Sequence, residues 1–108
     1  MTATLPEQCI PRRYLPRPDV TDAVAIAALL SDPIRASIMR YLVDGPYCVC
    51  EMAAALGQRE NNISNHLAKL RDVGLVHSIR HQSNARFLYY ARDEEAIARA
   101  LAALAELL

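Results

Sequence analysis

The stretch RENNISNHLAKLRDVG, residues 59–74, has the pattern of a helix with one buried face and one polar face. Ile63, Leu67 and Leu70 recur at intervals of four and three residues, which places them on one side of an α-helix. Gly74 follows as the expected stop, because glycine readily adopts the left-handed conformation that ends helices. Small polar and basic side chains occupy the rest of the surface. A helix of this width and polarity fits the major groove of DNA, where its side chains can reach base edges.

Local charge supports the same interpretation. Residues 58–90 hold five Lys or Arg and two Asp or Glu, a net charge of +3. The whole chain has 12 Lys or Arg and 12 Asp or Glu, a net charge of zero. Positive charge is therefore concentrated around the predicted helix at residues 59–74, which we call the reading helix, where contacts to DNA phosphates would need it. The alternative is an ordinary solvated helix face. The candidate DNA-contacting residues on this helix and in the segment after it are Asn61, Asn62, Ser64, Asn65, His66, Lys69, Arg71, Arg80, Gln82 and Arg86.

Two helices are predicted just before the reading helix. In SDPIRASIMRYLVDGP, residues 31–46, Asp32 suits a helix N-cap and Pro33 suits the first helical position. Apolar residues then recur at helical spacing until the Asp-Gly-Pro sequence stops the helix. A short helix follows over residues 50–56 and ends at Gly57. Two short helices joined by a glycine-containing turn to a polar helix are typical of helix-turn-helix proteins.

The segment after the reading helix is predicted to be a β-hairpin and a final helix. The hairpin has strands at about residues 75–80 and 86–90 around a polar turn. Acidic residues begin the segment 93–108 and favour a helix N-terminus there. An alanine-rich helix is also expected over residues 21–30. The apolar stripe of the last helix consists of Ile97, Leu101, Leu104 and Leu108.

Together these elements predict a mainly α fold with a β-hairpin wing, a homodimeric winged helix-turn-helix over residues 20–108. Residues 1–19 hold four of the six prolines and are predicted to form an extended arm. The first and last helices have more apolar surface than a small winged helix needs to cover. We expect these two helices to form the two-fold interface. The alternative is that both cap the core of the monomer.

Composition narrows the class of protein. A chain of 108 residues predicts one domain. There is no charged start followed by an apolar run and no stretch of roughly 18 apolar residues, so we expect a cytoplasmic protein that does not enter a membrane. Cysteines stay reduced in that compartment. No nucleophile–base pair, C-x-x-C motif or cofactor loop is evident, so an enzyme is not expected.

The three cysteines are Cys9, in the arm, and Cys48 and Cys50, at the mouth of the short helix. Residues two apart point about 200° apart on a helix but share a face in an extended segment, so the two thiols can converge only where the helix begins. We expect the helix N-terminus to lower the thiol pKa and favour thiolate, the form that binds soft metals. With Cys9 as third ligand, a pyramidal three-sulfur site suits arsenic(III), antimony(III) or lead(II). Cadmium(II) prefers a fourth ligand, and zinc(II) needs a closed four-ligand site that these residues do not supply.

The motifs SDPIRASIMRYLVDG, CVCEMAAALG and NNISNHLAKLRDVGLV, followed by a wing, resemble the ArsR/SmtB family in order and spacing. The resemblance covers about residues 24–92. It implies a dimeric bacterial repressor that releases operator DNA when a metal or metalloid binds. CVCE is similar to the motif of the soft-metal branch, which implies Cys48 and Cys50 as ligands, and Cys9 corresponds to the arm cysteines of the lead and cadmium sensor. The implied inducer is arsenite or antimonite first, with lead(II) or cadmium(II) as the alternative.

Two features depart from the family pattern. The last helix carries acidic residues but no histidine, so the zinc-type site that relatives have there is not expected. The cysteine pair lacks the third cysteine that follows it closely in the arsenic sensor. Two other functions stay open. One is a thiol redox sensor that responds to oxidants without metal, and the other is a constitutive DNA-binding protein that ignores inducers.

Overall fold

The computed structural model describes residues 19–80 and 88–108. Residues 1–18 of the predicted arm and residues 81–87, which include the predicted wing turn, lie outside this part of the chain. In chain order the described elements are α1 (Thr21–Leu30), α2 (Pro33–Tyr41), a 3-10 turn (Leu42–Asp44), β1 (Tyr47–Cys48), α3 (Val49–Leu56), α4 (Glu60–Asp72), β2 (Val76–Arg80), β3 (Leu88–Arg92) and α5 (Glu94–Leu107). This is a mainly α fold with a small antiparallel sheet, as the sequence predicts.

The start of α2 is set by the Asp32-Pro33 pair. The Asp32 Oδ1 accepts hydrogen bonds from the backbone N–H groups of Ile34 at 2.8 Å and Arg35 at 3.2 Å. The Arg35 N–H is the main cause that holds the pKa of Asp32 below its ordinary value, because it stabilises the charged carboxylate. Pro33 occupies the first turn, where its missing N–H leaves no bond unmade. The predicted N-cap is therefore confirmed.

The helix-turn-helix consists of α3, a turn at Gly57, and α4. Gly57 ends α3 with φ 63° and ψ 36°, a left-handed conformation that suits glycine. The inward residues of α4, Ile63, Leu67 and Leu70, each have 0% of their surface exposed. They join Ile38 of α2 and other apolar residues in one core cluster. The apolar face predicted from the sequence is thus the face that α4 buries.

Substituting Gly57 tests how strongly this turn depends on glycine. An added Cβ would meet no atom within 4 Å, so any loss of stability comes from backbone conformation. We expect Gly57→Ala to lower the free energy of unfolding by about 1 kcal/mol, and Gly57→Asn to lower it less, because asparagine tolerates this conformation better. Urea denaturation of the two variants measures the difference. Equal stability of wild type and Gly57→Ala would show that the turn relaxes to another conformation.

The sheet has the strand order β1-β3-β2, and both pairs are antiparallel. β2 and β3 form the predicted hairpin, and β3 continues to Arg92, beyond the predicted end at residue 90. Residues 86 and 87 of the predicted strand lie outside the described residues. β1 was not predicted. It holds only Tyr47 and Cys48, which pair with Tyr90 and Tyr89 of β3. Two residues are too few for an alternating pattern to reveal a strand, so this strand exists through its tertiary pairing.

The first and last helices pack against each other. The N-cap of α5 is Asp93, whose Oδ1 accepts a hydrogen bond from the Ala96 N–H at 3.0 Å. α5 buries Ala96 and Ala100, whereas Leu101 is 61% exposed. Small residues at the contact let the helices approach closely and leave the larger side chains facing outward. None of the helices in the described ranges combines the length and apolar character needed to cross a membrane.

Candidate thiol site and nucleic-acid interface

The two adjacent cysteines converge at the beginning of α3. Cys48 ends β1 and is the N-cap of α3, with the extended backbone angles φ −84° and ψ 164°. Cys50 lies in the first turn of the helix. Their Sγ atoms are 2.6 Å apart, and both residues are free thiols. The extended backbone at Cys48 turns its side chain toward that of Cys50, so the predicted convergence of the thiols is present in the structure.

The two thiols differ in environment. Cys48 is 5% exposed, whereas Cys50 is exposed to solvent. Glu51 completes a capping box, because its Oε1 accepts a hydrogen bond from the Cys48 N–H at 3.2 Å while the Cys48 side chain accepts one from the Glu51 N–H. Sequence reasoning did not identify this role of Glu51, although the spacing of three residues is the signature of such a box.

The expectation that the helix N-terminus lowers the pKa of both thiols is wrong for Cys48. Burial, and then its hydrogen bond with Cys50, raise the pKa of Cys48 to about 11. The nearby Glu51 carboxylate adds to this effect by repelling negative charge on the sulfur. Cys48 therefore keeps its proton at neutral pH until a ligand removes it.

The donors fit a thiophilic ion, because thiolate sulfur prefers soft metals and metalloids. Two sulfurs alone do not complete a site. Within residues 19–80 and 88–108 there is no group of three His, Cys, Asp or Glu side chains placed to hold a metal. A third donor would have to come from elsewhere, and the predicted one, Cys9, lies outside the described residues.

The surface of α4 that faces away from the core carries most of the predicted DNA contacts. α4 is a regular helix of 13 residues with a continuous buried face, so the backbone from which its outer side chains project is held against the core. Five of the seven candidate residues on this helix are exposed, and we define them as the reading face. They are Asn61, Ser64, Asn65, Lys69 and Arg71.

The other two candidates on α4 make contacts within the protein. The Asn62 Nδ2 donates a hydrogen bond to the Gln58 Oε1 at 2.7 Å. His66 is half-buried, and its Nδ1 lies 3.3 Å from the Arg35 Nη1. The Arg35 Nε also donates to the Leu29 carbonyl oxygen at 2.6 Å, so Arg35 connects the end of α1 to α4. A DNA contact by Asn62 or His66 stays a prediction, and neither side chain is directed freely outward.

The remaining candidates belong to the wing. Arg80 is exposed at the end of β2, opposite Leu88 of β3. Gln82 and Arg86 lie outside the described residues, as does the turn between the strands. The hairpin places Arg80 at the end of β2 away from the core residue Val76.

The family assignment follows from two comparisons. The family model described as bacterial regulatory protein, arsR family, matches residues 32–78, which span α2, α3, α4 and the start of β2. The crystal structure of the transcriptional regulator HlyU from Vibrio vulnificus is 30% identical with a TM-score of 0.60, over 72% of this chain and 79% of that chain. This chain belongs to the ArsR family. Its fold is the winged helix-turn-helix of these regulators, with α4 as the second helix of the motif and β2–β3 as the wing.

Two curated proteins are also similar to this chain. The HTH-type transcriptional regulator CmtR of Mycobacterium tuberculosis is 39% identical over 77 residues, 71% of this chain and 63% of CmtR. The arsenical resistance operon repressor of Escherichia coli is 39% identical over 54 residues, 49% of this chain and 46% of the repressor. This ArsR-family chain thus spans less than two thirds of the length of these curated relatives.

Proposed function

We propose that this chain is a metal(loid)-responsive transcriptional repressor. It binds operator DNA as a homodimer through the reading face and the wing, and it releases DNA when a thiophilic ion binds Cys48, Cys50 and Cys9. One observation carries the proposal: the two sulfurs lie 2.6 Å apart at the start of α3, the helix that precedes the reading helix. An ion bound there contacts the first turn of α3 and can therefore change how α3 presents α4.

We propose arsenite or antimonite as the inducing ion. Three thiolates form the pyramidal site that a trivalent ion with a lone pair prefers, and the matching Escherichia coli relative is an arsenical resistance repressor. Lead(II) suits the same three sulfurs, and cadmium(II) would need one more donor from water or a side chain. These two ions are the alternative inducers within the same mechanism.

Lys69 and Asn65 distinguish the two kinds of DNA contact that the reading face would make. We expect Lys69→Ala to weaken binding to all sequences and to reduce the slope of log K against log salt concentration by about 1, as loss of one phosphate contact does. Asn65→Ala should leave that slope unchanged and reduce discrimination between operator and mutated operator. Fluorescence anisotropy at several salt concentrations measures both. An unchanged slope for Lys69→Ala would place this residue away from the phosphates.

The homodimer is proposed from the outer surface of α1 and α5. Val24 is 50% exposed on α1, and Leu101 is 61% exposed on α5. Beside them, α1, α5 and the end of α4 enclose an open hollow of about 420 Å³ whose walls include Ile26 and Val73. Apolar side chains of a second copy would bury this surface and remove it from water.

A charge on this surface should separate the protomers. We expect Leu101→Glu to weaken dimerisation at least about 100-fold, since burying an unpaired carboxylate costs several kcal/mol. Val43→Glu is the matched control, because Val43 is also an exposed apolar residue, at 46%, but lies on the 3-10 turn. Sedimentation equilibrium gives both dissociation constants. A Leu101→Glu protein that dimerises like wild type would show that the interface is elsewhere.

The proposed function is tested by anisotropy of the reduced protein on labelled DNA from the region upstream of its own gene. Arsenite, antimonite, lead(II), cadmium(II) and zinc(II) are titrated separately, with hydrogen peroxide as a parallel series. We expect release by arsenite and antimonite, or by lead and cadmium, at ion concentrations near that of the protein. Binding that no ion disturbs would refute the metal-responsive function.

The contact between the sulfurs also favours a second candidate, a thiol redox sensor. Cys50 is exposed and its sulfur already touches that of Cys48, so an oxidant could convert Cys50 to a sulfenic acid that Cys48 then attacks to form a disulfide and water. Release of DNA by peroxide in the absence of metal, reversed by a thiol reductant, would support this function instead.

A further inference from the structure

Cys48 belongs to two structural elements at once. It is the last residue of β1 and the N-cap of α3. In the described sheet, β1 is an edge strand that pairs with β3, which is the central strand of the sheet and one of the two strands of the wing. The thiol pair is therefore attached on one side to the helix that precedes the reading helix, and on the other side to the wing.

Tyr89 is the β3 residue directly opposite Cys48. Opposite residues of an antiparallel pair project from the same face of the sheet, with Cβ atoms about 4.5–5.5 Å apart. On its other side Tyr89 lies opposite Ile79 of β2. Cys48, Tyr89 and Ile79 thus form a row across the three described strands, which we call the cross-strand row. It lies on the face opposite to the neighbouring Tyr90, which is buried in the core.

Binding an ion between the sulfurs replaces the direct contact of the two thiols by a bond of about 2.3 Å from each sulfur to the ion. Each sulfur then takes the position that its bond to the ion sets. Cys50 is exposed and can move into solvent, whereas Cys48 is 5% exposed and is enclosed by its neighbours. A displacement of Cys48 along the sheet face meets the half-buried side chain of Tyr89.

We infer that Tyr89 is a positioning residue that transmits ion binding at Cys48 and Cys50 to the wing. This inference rests on the proposed function, since it specifies the route by which that site acts. A displacement of Tyr89 shifts β3. β2 moves with β3 because the two strands pair at five positions, the last of which is Arg80 opposite Leu88. The ion therefore changes the position of the wing as well as that of α4.

The test compares Tyr89→Ala with Leu88→Ala. Leu88 is the matched control because it is also half-buried and adjacent on β3, but it projects from the opposite face and lies outside the cross-strand row. Arsenite binding is measured by the near-ultraviolet sulfur-to-arsenic absorption, and DNA binding by anisotropy with and without arsenite. Circular dichroism checks the fold. Tyr89→Leu is the second variant, to be used if Tyr89→Ala does not fold.

In wild type and Leu88→Ala we expect arsenite to lower DNA affinity by at least about tenfold, a typical size for coupled sites. In Tyr89→Ala we expect arsenite to change DNA affinity by less than about threefold, while the affinity for arsenite itself stays within about threefold of wild type. Tyr89→Phe, which keeps the ring, should behave as wild type. Full release by Tyr89→Ala at unchanged arsenite affinity would overturn the inference.

Hydrogen exchange separates failure of the inference from failure of the proposed function. We expect arsenite to change amide exchange in residues 88–92 of wild type and to leave it unchanged in Tyr89→Ala. If exchange changes as expected but DNA stays bound, the inference stands and the proposed function fails. If DNA is released while exchange in this strand is unaffected, the proposed function stands and the inference fails. If arsenite, lead(II) and cadmium(II) all fail to change absorption, exchange and DNA binding, both are wrong.

Discussion

Replacing either thiol by serine is expected to abolish arsenite-induced release while leaving operator binding within about threefold of wild type. Release is lost because a hydroxyl oxygen is a poor donor for a soft ion. The fold survives for a reason specific to this site. Serine is a preferred N-cap, and Cys48→Ser places it three residues before Glu51, the spacing of a capping box. The hydrogen bond from the Cys48 N–H to Glu51 can therefore persist in the variant.

Anisotropy titrations with arsenite measure this effect directly. Wild type should lose at least about tenfold in DNA affinity, and Cys48→Ser and Cys50→Ser should lose none. Ala54→Ser is the control, because it introduces serine at an exposed position of α3 away from the sulfurs. Cys9→Ser extends the test to the predicted third ligand. A Cys48→Ser or Cys50→Ser protein that still releases DNA on addition of arsenite would remove the thiol pair from the mechanism.

The pH dependence of ion binding is expected to differ sharply between divalent ions and arsenite. Burial and the hydrogen bond with Cys50 raise the pKa of Cys48 to about 11, so below that pH the free protein holds this proton. Lead(II) or cadmium(II) must displace the proton in order to bind the sulfur. Each displaced proton makes the apparent affinity for the ion rise about tenfold per pH unit. Displacement of the Cys48 proton alone therefore raises this affinity about 100-fold between pH 6 and pH 8.

Arsenite follows a different proton balance. It is present at neutral pH as uncharged arsenous acid, and each sulfur–arsenic bond that forms breaks one arsenic–oxygen bond. The thiol proton leaves with the hydroxyl group as water, so no proton is released to the solution. We therefore expect arsenite affinity to stay nearly constant from pH 6 to pH 8 while cadmium affinity rises.

Absorption titrations of wild type at several pH values test this contrast, and DNA affinity without ions over the same range controls for unrelated titrations. Cadmium affinity that is independent of pH would mean that Cys48 is not a ligand. Arsenite affinity as steep as that of cadmium would contradict the thiol–hydroxyl exchange. The comparison also indicates which class of ion can compete for the site at neutral pH.

The reading helix and its neighbours are well predicted because the signals that define them come from residues close together in the chain. Ile63, Leu67 and Leu70 mark one helix face, Asp32 marks a helix start, and Gly57 marks a helix end. Each of these signals depends on residues within one or two turns of the chain. The structure confirms all of them, including complete burial of the three apolar residues of α4.

The features that the sequence does not reveal depend on contacts between distant residues. β1 exists because Tyr47 and Cys48 pair with β3, about 40 residues along the chain. The same pairing helps to bury Cys48, so the rise of its pKa follows from the sheet and opposes the effect expected from the helix terminus alone. The contact between Arg35 and His66 joins residues 31 positions apart, and no local pattern indicates it. The convergence of the thiols was predictable because it needs only an extended residue before a helix.

The most direct test of the central claim is a titration of wild-type protein on labelled operator DNA in one cuvette. Arsenite is added stepwise while sulfur-to-arsenic absorption and DNA anisotropy are recorded together. We predict that both signals change in parallel and reach their end points at one arsenite per protomer. Absorption that saturates while the DNA stays bound, or DNA that leaves before any sulfur–arsenic absorption appears, would contradict the account.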